Sequence, residues 1–273
     1  MSGVVLTCFA GRQRYLEILK PYIDKLLSRG LIDECHMWDY TRNDSDSEWL
    51  KNNFTSIFHP SDKTTWSDYY NYYTSERYPD PATVVIKCDD DIVYIDVDQF
   101  QTFIDNRRSD TRSLIAYAGI INNRHIGHRQ YEHGILPFLD EANIMYDVRC
   151  CEHMHDYFTT NYTDVISKAR LHGAPSHFIP SKSIQYVDGA PNVEVLNINF
   201  IAVLAKDLWA FQDAVSDDEA MLAIRIPHKH KKCNYIDTSF TVVHMAFTSQ
   251  RANGFDETPF MERYKVISSR SVH

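Results

Sequence analysis

Short apolar runs rich in β-branched residues alternate with stretches of helical periodicity along the first 121 residues. The apolar runs predict strands near 4–9, 34–40, 55–59, 83–88 and 113–121. The stretches between them predict helices near 12–29, 66–78 and 97–107, with Gly30 as the stop of the first helix. Such alternation is typical of parallel strands with helices on both faces. The sequence therefore predicts an α/β fold with a mostly parallel central sheet flanked by helices.

Polar segments follow three of these predicted strands. They read TCFAGR at 7–12, WDYTRN at 38–43 and DDD at 89–91. In open parallel sheets, ligands bind beyond the carboxyl ends of the strands. We therefore expect the three segments to share one edge of the sheet and to form a ligand site there.

The three consecutive acids have two explanations. Asp is common in turns and helix caps, but three acids exceed what a cap needs. Alternatively, Asp89 and Asp91 project to the same side and grip one divalent cation. A later strand-like segment, TVVHMAFTSQR, carries His244, which is either a core histidine or a further ligand. Carboxylate and imidazole together suit Mn²⁺, or Mg²⁺ held mainly by oxygen, so a metal site is favoured.

The second half of the chain is less regular. It predicts a long helix over 150–169, strands near 193–205 and 239–247, and a His-rich loop over 122–137. The segment SDDEAML starts a helix at Ser216, where Ser216 and Glu219 match a capping box.

Carboxylates at that helix start are candidates for a catalytic base. The capping box leaves Asp217 and Asp218 surplus, and Asp218 is preferred, with Asp217 and Glu219 next. Asp188, in QYVDGAPN, is another candidate, although Asp-Gly is commonly just a turn.

The composition indicates which kinds of binding partner and which cellular environment to expect. The formal net charge of −9 argues against nucleic acid, which is bound by concentrated basic surfaces. The apolar runs are too short for a signal peptide or a membrane span, and the six Cys include no CxxC pair. We therefore expect a soluble, cytoplasmic protein with reduced thiols.

Taken in order, TCFAGR, WDYTRN, VVIKCDDDIVYID and VVHMAFTSQR resemble the motifs of nucleotide-sugar glycosyltransferases of the GT-A fold. More narrowly, the chain is similar to the small glycosyltransferases encoded by chlorella viruses. The resemblance implies one GT-A (Rossmann-like) domain over 1–273, with a nucleotide-binding half at 1–121 and an acceptor-binding half at 122–273. It also implies metal-dependent transfer of a sugar from a UDP-sugar, UDP-xylose first, to a glycan hydroxyl such as that of a viral capsid protein.

The same resemblance implies roles for individual residues. Those assigned to the UDP-sugar are Thr7, Phe9, Ala10, Arg12, Asp39, Lys63, Trp66, Asp89 and Asp90. Arg12 would reach a phosphate, and Trp66 would lie beside the base or ribose, unless it packs in the core. Asp91 and His244 would bind the metal, with Asp89 on the metal or its water shell.

Two other functions are compatible with the same residues. A metal-dependent phosphoesterase would use the acids to hydrolyse a phosphate ester, but it would need ligands for a second metal. A non-catalytic module that binds glycans or nucleotides would not need Asp218. An inverting transferase is favoured because a plausible base exists.

Overall fold

In the computed structural model, the described residues are 2–136, 147–171, 177–179, 185–187, 190–192, 196–214 and 217–270. The strands are β1 (Val4–Ala10), β2 (Glu34–Asp39), β3 (Ile57–Phe58), β4 (Val84–Asp89), β5 (Ile92–Ile95), β6 (Ser113–Ile121), β7 (His177–Ile179), β8 (Gln185–Val187), β9 (Ala190–Asn192), β10 (Phe200–Leu204) and β11 (Cys233–His244). The helices are α1 (Gln13–Ser28), α2 (Asp44–Asn53), α3 (Ser67–Tyr72), α4 (Phe100–Ser109), α5 (Arg124–Glu132), α6 (Val148–Leu171), α7 (Trp209–Asp213), α8 (Asp218–Ala220), α9 (Ile226–Lys229), α10 (Thr248–Ala252) and α11 (Thr258–Arg270).

One large sheet has the strand order β3-β2-β1-β4-β10-β6-β11-β5, and β7 pairs with β11 beside this path. The neighbours from β3 to β4 are parallel, as are β6 and β11. Strand β10 is antiparallel to both β4 and β6, and β5 and β7 are antiparallel to β11. Strands β8 and β9 form a separate antiparallel pair. The predicted α/β fold, with a mostly parallel sheet flanked by helices, is confirmed.

The buried face of α1 shows why these segments fold as they do. Leu16, Leu19, Ile23 and Leu26 recur at helical spacing, and all four have no exposed surface. Gly30 follows the helix at φ +64°, a left-handed conformation that glycine adopts without steric cost. The predicted stop is therefore confirmed.

Two local predictions in the second half are wrong. The His-rich segment at 122–137 was expected to be a loop, but its residues Arg124–Glu132 form α5, capped by Asn123. The helix α8 starts at Asp218 rather than at the predicted Ser216, and its cap is Asp217, whose side chain accepts a hydrogen bond from the Ala220 N–H. Ser216 and Asp188 lie outside the described residues.

A π-helical turn, Met221–Arg225, continues α8 into α9. The predicted long helix is confirmed as α6. Across the described part of the chain, no helix combines the length and the apolar character that a membrane span requires.

Candidate functional site

A cavity of about 740 Å³ lies where the carboxyl ends of β1, β2 and β4 meet. The three polar segments that follow these strands all contribute to its walls, as the sequence predicts. The predicted site residues that line it are Phe9, Arg12, Lys63, Trp66, Asp89, Asp90, Asp91, Asp218, Glu219 and His244. One cavity thus gathers side chains from both halves of the chain.

Four predicted residues lie outside the lining. Thr7 and Ala10 are fully buried, and the Thr7 hydroxyl donates to the Ile86 carbonyl at 2.8 Å. Asp217 caps α8. Asp39 is 3% exposed and accepts a hydrogen bond from Lys63 Nζ at 2.8 Å.

The Asp39 carboxylate anchors Lys63 at the cavity. Burial alone would raise the pKa of Asp39, but hydrogen bonds from Lys63 and Thr41 outweigh it and lower the pKa to about 2. Asp39 is therefore ionised at neutral pH and committed to protein partners. This arrangement leaves Lys63, rather than Asp39, in position to meet a ligand.

Aromatic rings line one end of the cavity. Phe9 lies 5.0 Å from Trp66 and 5.3 Å from Tyr40, and Tyr40 lies 4.7 Å from Trp66, measured between ring centroids. Trp66 is 39% exposed, so it is not a core residue. A flat heterocycle gains stacking energy on such rings.

Arginine side chains meet two of the three acids, Asp90 and Asp91. Arg12 donates from Nε to Asp90 Oδ2 at 3.0 Å and from Nη2 to Asp91 Oδ2 at 2.9 Å. Arg251 donates from Nη2 to the same Asp91 oxygen at 3.0 Å. Charged hydrogen bonds of this kind offset the mutual repulsion and the desolvation of Asp90 and Asp91.

Asp89 has different partners. Its carboxylate accepts from Lys87 Nζ at 2.6 Å and from Asn199 Nδ2 at 2.9 Å. Lys87 is buried, and burial alone would lower its pKa, but the carboxylates of Asp89, Asp218 and Glu219 outweigh this and raise it. Lys87 is therefore a permanent cation at the floor of the cavity.

His244 lies beside Asp91. Its Nδ1 donates to the Asn122 carbonyl at 3.3 Å, which directs Nε2 to within 3.5 Å of Asp91 Oδ2. Burial alone would raise the pKa of Asp91, but His244, Arg12 and Arg251 together hold it well below its usual range. An imidazole whose other nitrogen donates to a backbone carbonyl is the usual arrangement of a metal ligand.

Asp91 and His244 could supply two protein ligands to a divalent cation, but not a complete ligand set. The described residues hold no cluster of three or more His, Cys, Asp or Glu side chains placed for a metal ion. One carboxylate and one imidazole are nevertheless a suitable partial set for Mn²⁺, which commonly takes its other ligands from water and substrate phosphates. The residues therefore fit a cation shared with a phosphate-bearing ligand, not one enclosed by protein.

Carboxylates from the second half of the chain also line the cavity. Asp218 Oδ2 accepts from the Tyr70 hydroxyl at 2.7 Å, and Glu219 Oε1 accepts from Asn197 Nδ2 at 3.0 Å. Burial raises the pKa of Glu219, despite opposing contributions from Asn197 and Lys87. Two carboxylates are thus held in place in the cavity wall.

Sequence reasoning missed Arg251, Lys87 and Asn199, which all line the cavity. Arg251 ends the quoted segment TVVHMAFTSQR, and Lys87 stands two residues before Asp89, so both lay in view. Their charges gave no signal because only the fold shows which acids they meet.

Comparisons with known proteins add little. No family model matches the chain. No curated protein sequence matches it either. One similar solved structure is 4-diphosphocytidyl-2C-methyl-D-erythritol synthase from Anaerococcus prevotii, with 14% identity, a TM-score of 0.45, and 100% of this chain and 99% of that one covered. Another is CMP:2-keto-3-deoxy-manno-octonic acid synthetase complexed with CTP, with 11% identity, a TM-score of 0.46 and 99% of each chain covered.

By name, both of these proteins are cytidine-nucleotide enzymes, and neither is a glycosyltransferase. Their names and the predicted function have in common that a nucleotide is involved. At these TM-scores the likeness carries no argument about activity, and the resemblance to viral glycosyltransferases stays a prediction.

Proposed function

We propose that this chain is a divalent-cation-dependent glycosyltransferase that moves a sugar from a UDP-sugar to a glycan hydroxyl. One observation carries the proposal: a single cavity joins an aromatic end, a cationic centre beside Asp91 and His244, and a wall formed by Asp218 and Glu219. The aromatic rings suit the nucleobase, the cationic centre suits the diphosphate, and the two carboxylates suit an acceptor hydroxyl. The choice of UDP-xylose, and of a capsid-protein glycan as acceptor, rests on the sequence resemblance alone.

The aromatic end suits the nucleoside. Trp66 offers an exposed ring for stacking, and Lys63 lines the same cavity. Stacking contributes about 1–3 kcal/mol per base. Because every base has an aromatic face, the stack supplies affinity, and the choice of uracil must come from polar groups such as Lys63 and Thr64.

The charge of the cavity favours a cation that enters with the donor. Among the described residues, five basic and five acidic side chains line the cavity. A diphosphate alone would leave this balanced set with excess negative charge. Asp91 and His244 would hold Mn²⁺, which as a Lewis acid stabilises the charge that develops on a departing diphosphate.

Asp218 is the proposed base. As the bond between the anomeric carbon and the diphosphate oxygen breaks, the acceptor oxygen bonds to that carbon, and its proton passes to Asp218. The Tyr70 hydroxyl holds the Asp218 carboxylate in place through Oδ2. A positioned base of this kind typically accelerates transfer by about 10²–10⁴-fold. Attack from the side opposite the leaving group would invert the anomeric centre.

The acidic wall also disfavours nucleotidyl transfer to an anionic group. A phosphate nucleophile approaching Asp218 and Glu219 would meet like charges, whereas a neutral hydroxyl would meet a proton acceptor. The charge of these carboxylates therefore favours a sugar transferase over an enzyme that joins a nucleoside triphosphate to a phosphate.

A substrate panel tests the proposal. The purified protein is incubated with Mn²⁺ and, separately, UDP-xylose, UDP-glucose, other UDP-sugars, CTP and p-nitrophenyl phosphate. We expect slow release of UDP from one UDP-sugar, abolished by EDTA and accelerated by a glycan acceptor. Cleavage of p-nitrophenyl phosphate or release of pyrophosphate from CTP, with every UDP-sugar intact, would overturn it.

A further inference from the structure

Arg251 reaches the cavity from α10, directly after the strand that carries His244. Its Nη2 donates to Asp91 Oδ2 at 3.0 Å, and its Nε donates to Glu257 Oε1 at 2.6 Å. No described residue accepts a hydrogen bond from its Nη1, and the side chain is 23% exposed. The guanidinium is therefore held along one edge and still has a donor for a ligand in the cavity.

Glu257 lies behind Arg251, away from the cavity lining. Its side chain is 7% exposed and accepts hydrogen bonds from Arg251 and from the Tyr15 hydroxyl at 2.6 Å. Arg14 Nη2 pairs with it at 2.9 Å. A carboxylate held by three donors is itself immobile, so it orients the planar guanidinium of Arg251.

The two arginines would respond differently to a cation on Asp91. Arg12 keeps a two-point pairing with Asp90 through Nε and Nη2. Arg251 would keep only Glu257, whose charge is shared with Arg14. Arg251 would thus become the less compensated of the two charges, and it faces the place where an anion would enter.

We infer that Arg251 binds the diphosphate of the nucleotide donor and that Glu257 is the positioning residue that orients it. The inference rests on the proposed function, because it assigns part of the same donor site. It adds a phosphate ligand from the C-terminal part of the chain to Arg12 from the N-terminal part. The diphosphate would then lie between two guanidinium groups.

Calorimetric titration with UDP and with uridine, both in Mn²⁺, isolates the phosphate contribution. A charged hydrogen bond is worth about 1.5–3 kcal/mol, so Arg251→Ala should weaken UDP binding by about 10–150-fold and leave uridine binding unchanged. Arg251→Lys keeps the charge without the planar guanidinium group, so its UDP affinity should lie between those of the wild type and Arg251→Ala. Glu257→Gln should weaken UDP but not uridine and should raise KM for the donor more than it lowers kcat.

Arg170→Ala is the matched control. Arg170 is 36% exposed and pairs with Asp96 at 2.7 Å, but it does not line the cavity and has no bond to Glu257, so this variant should bind UDP like the wild type. Unchanged UDP affinity in Arg251→Ala, or an equal loss of UDP and uridine in both Arg251 variants, would overturn the inference while leaving the proposed function standing. A wild-type protein that binds no UDP in Mn²⁺ would instead overturn the proposed function, and the inference with it.

Discussion

The variant Asp91→Asn tests two roles of Asp91, its contribution to the stability of the fold and its contribution to UDP binding. The carboxylate is buried and neutralises Arg12 and Arg251, so the variant leaves two guanidinium groups without their shared anion. Both arginines retain some solvent exposure, 31% and 23%, which moderates the cost. We expect a loss of about 1.5–3 kcal/mol in the free energy of unfolding.

The effect on the ligand should be at least of similar size. Asp91 is one of only two protein groups proposed to hold Mn²⁺, and even outer partners of metal ligands change affinity by about 10–100-fold. In calorimetric titrations, wild-type protein should bind UDP more tightly with Mn²⁺ than with EDTA. Asp91→Asn should show the same weak UDP affinity in both.

Asp96→Asn provides the control. Asp96 is also buried and pairs with Arg170 Nη2 at 2.7 Å, but it does not line the cavity. Burial raises the pKa of Asp96 despite its pairing with Arg170, so its replacement should cost less stability than that of Asp91, and it should leave the Mn²⁺-dependent gain in UDP affinity intact. If Asp91→Asn kept that gain, the assignment of Asp91 to the cation would be refuted.

The stability effect has a defined pH dependence. The pKa of Asp91 is lower in the folded than in the unfolded state, so its contribution is fully present above the unfolded value of about 4. It is lost as pH falls through the lower folded value. Urea titrations should therefore show the wild type and Asp91→Asn converging as the pH is lowered below about 4. A gap that persists unchanged would indicate that a charge-independent contact is responsible.

Three further variants test the rest of the cavity. Trp66→Ala should weaken UDP binding by about 1–3 kcal/mol in titrations without lowering the melting temperature, because its ring is 39% exposed; a strong loss of stability would indicate a core role instead. Asp218→Asn should slow sugar transfer by about 10²–10⁴-fold while UDP affinity persists, and full activity would return Asp218 to a structural role. Glu219 has a raised pKa, so its contribution to stability is fully present at low pH and is lost as pH rises towards and through that folded pKa. Glu219→Gln should therefore raise the melting temperature at pH 7 but not at pH 4, whereas an equal change at both would exclude its ionisation as the cause.

The parts of the fold that sequence could predict depend on local patterns. β4 is a continuous apolar run that ends at three acids, and the rule for parallel sheets places those acids beside the ends of β1 and β2. The lining of the cavity by Phe9, Asp89 and Tyr40 follows from those two facts. The long periodic helices α1 and α6 were predictable for the same reason.

The features that the sequence did not predict were missed for different reasons. Helix α5 is rich in His and Arg, and its apolar stripe reduces to Ile126, so periodicity could not reveal it. Its cap, Asn123, accepts a hydrogen bond from the Ile126 N–H and was the one available signal. The pairing of Arg251 with Asp91 spans 160 residues of sequence, and only the path of β11 through the sheet brings them together.

The placement of β10 bears on how the protein is made. Among the described strands, β6 joins the sheet through β10 and β11, and β5 joins it through β11 alone. While the ribosome is still translating residues before β10, only β1 to β4 can form a contiguous sheet, and β5 and β6 have no native partner. We therefore expect a released fragment of residues 1–121 to remain protease-sensitive across Ile92–Ile95 and Ser113–Ile121, although its first four strands could already be paired.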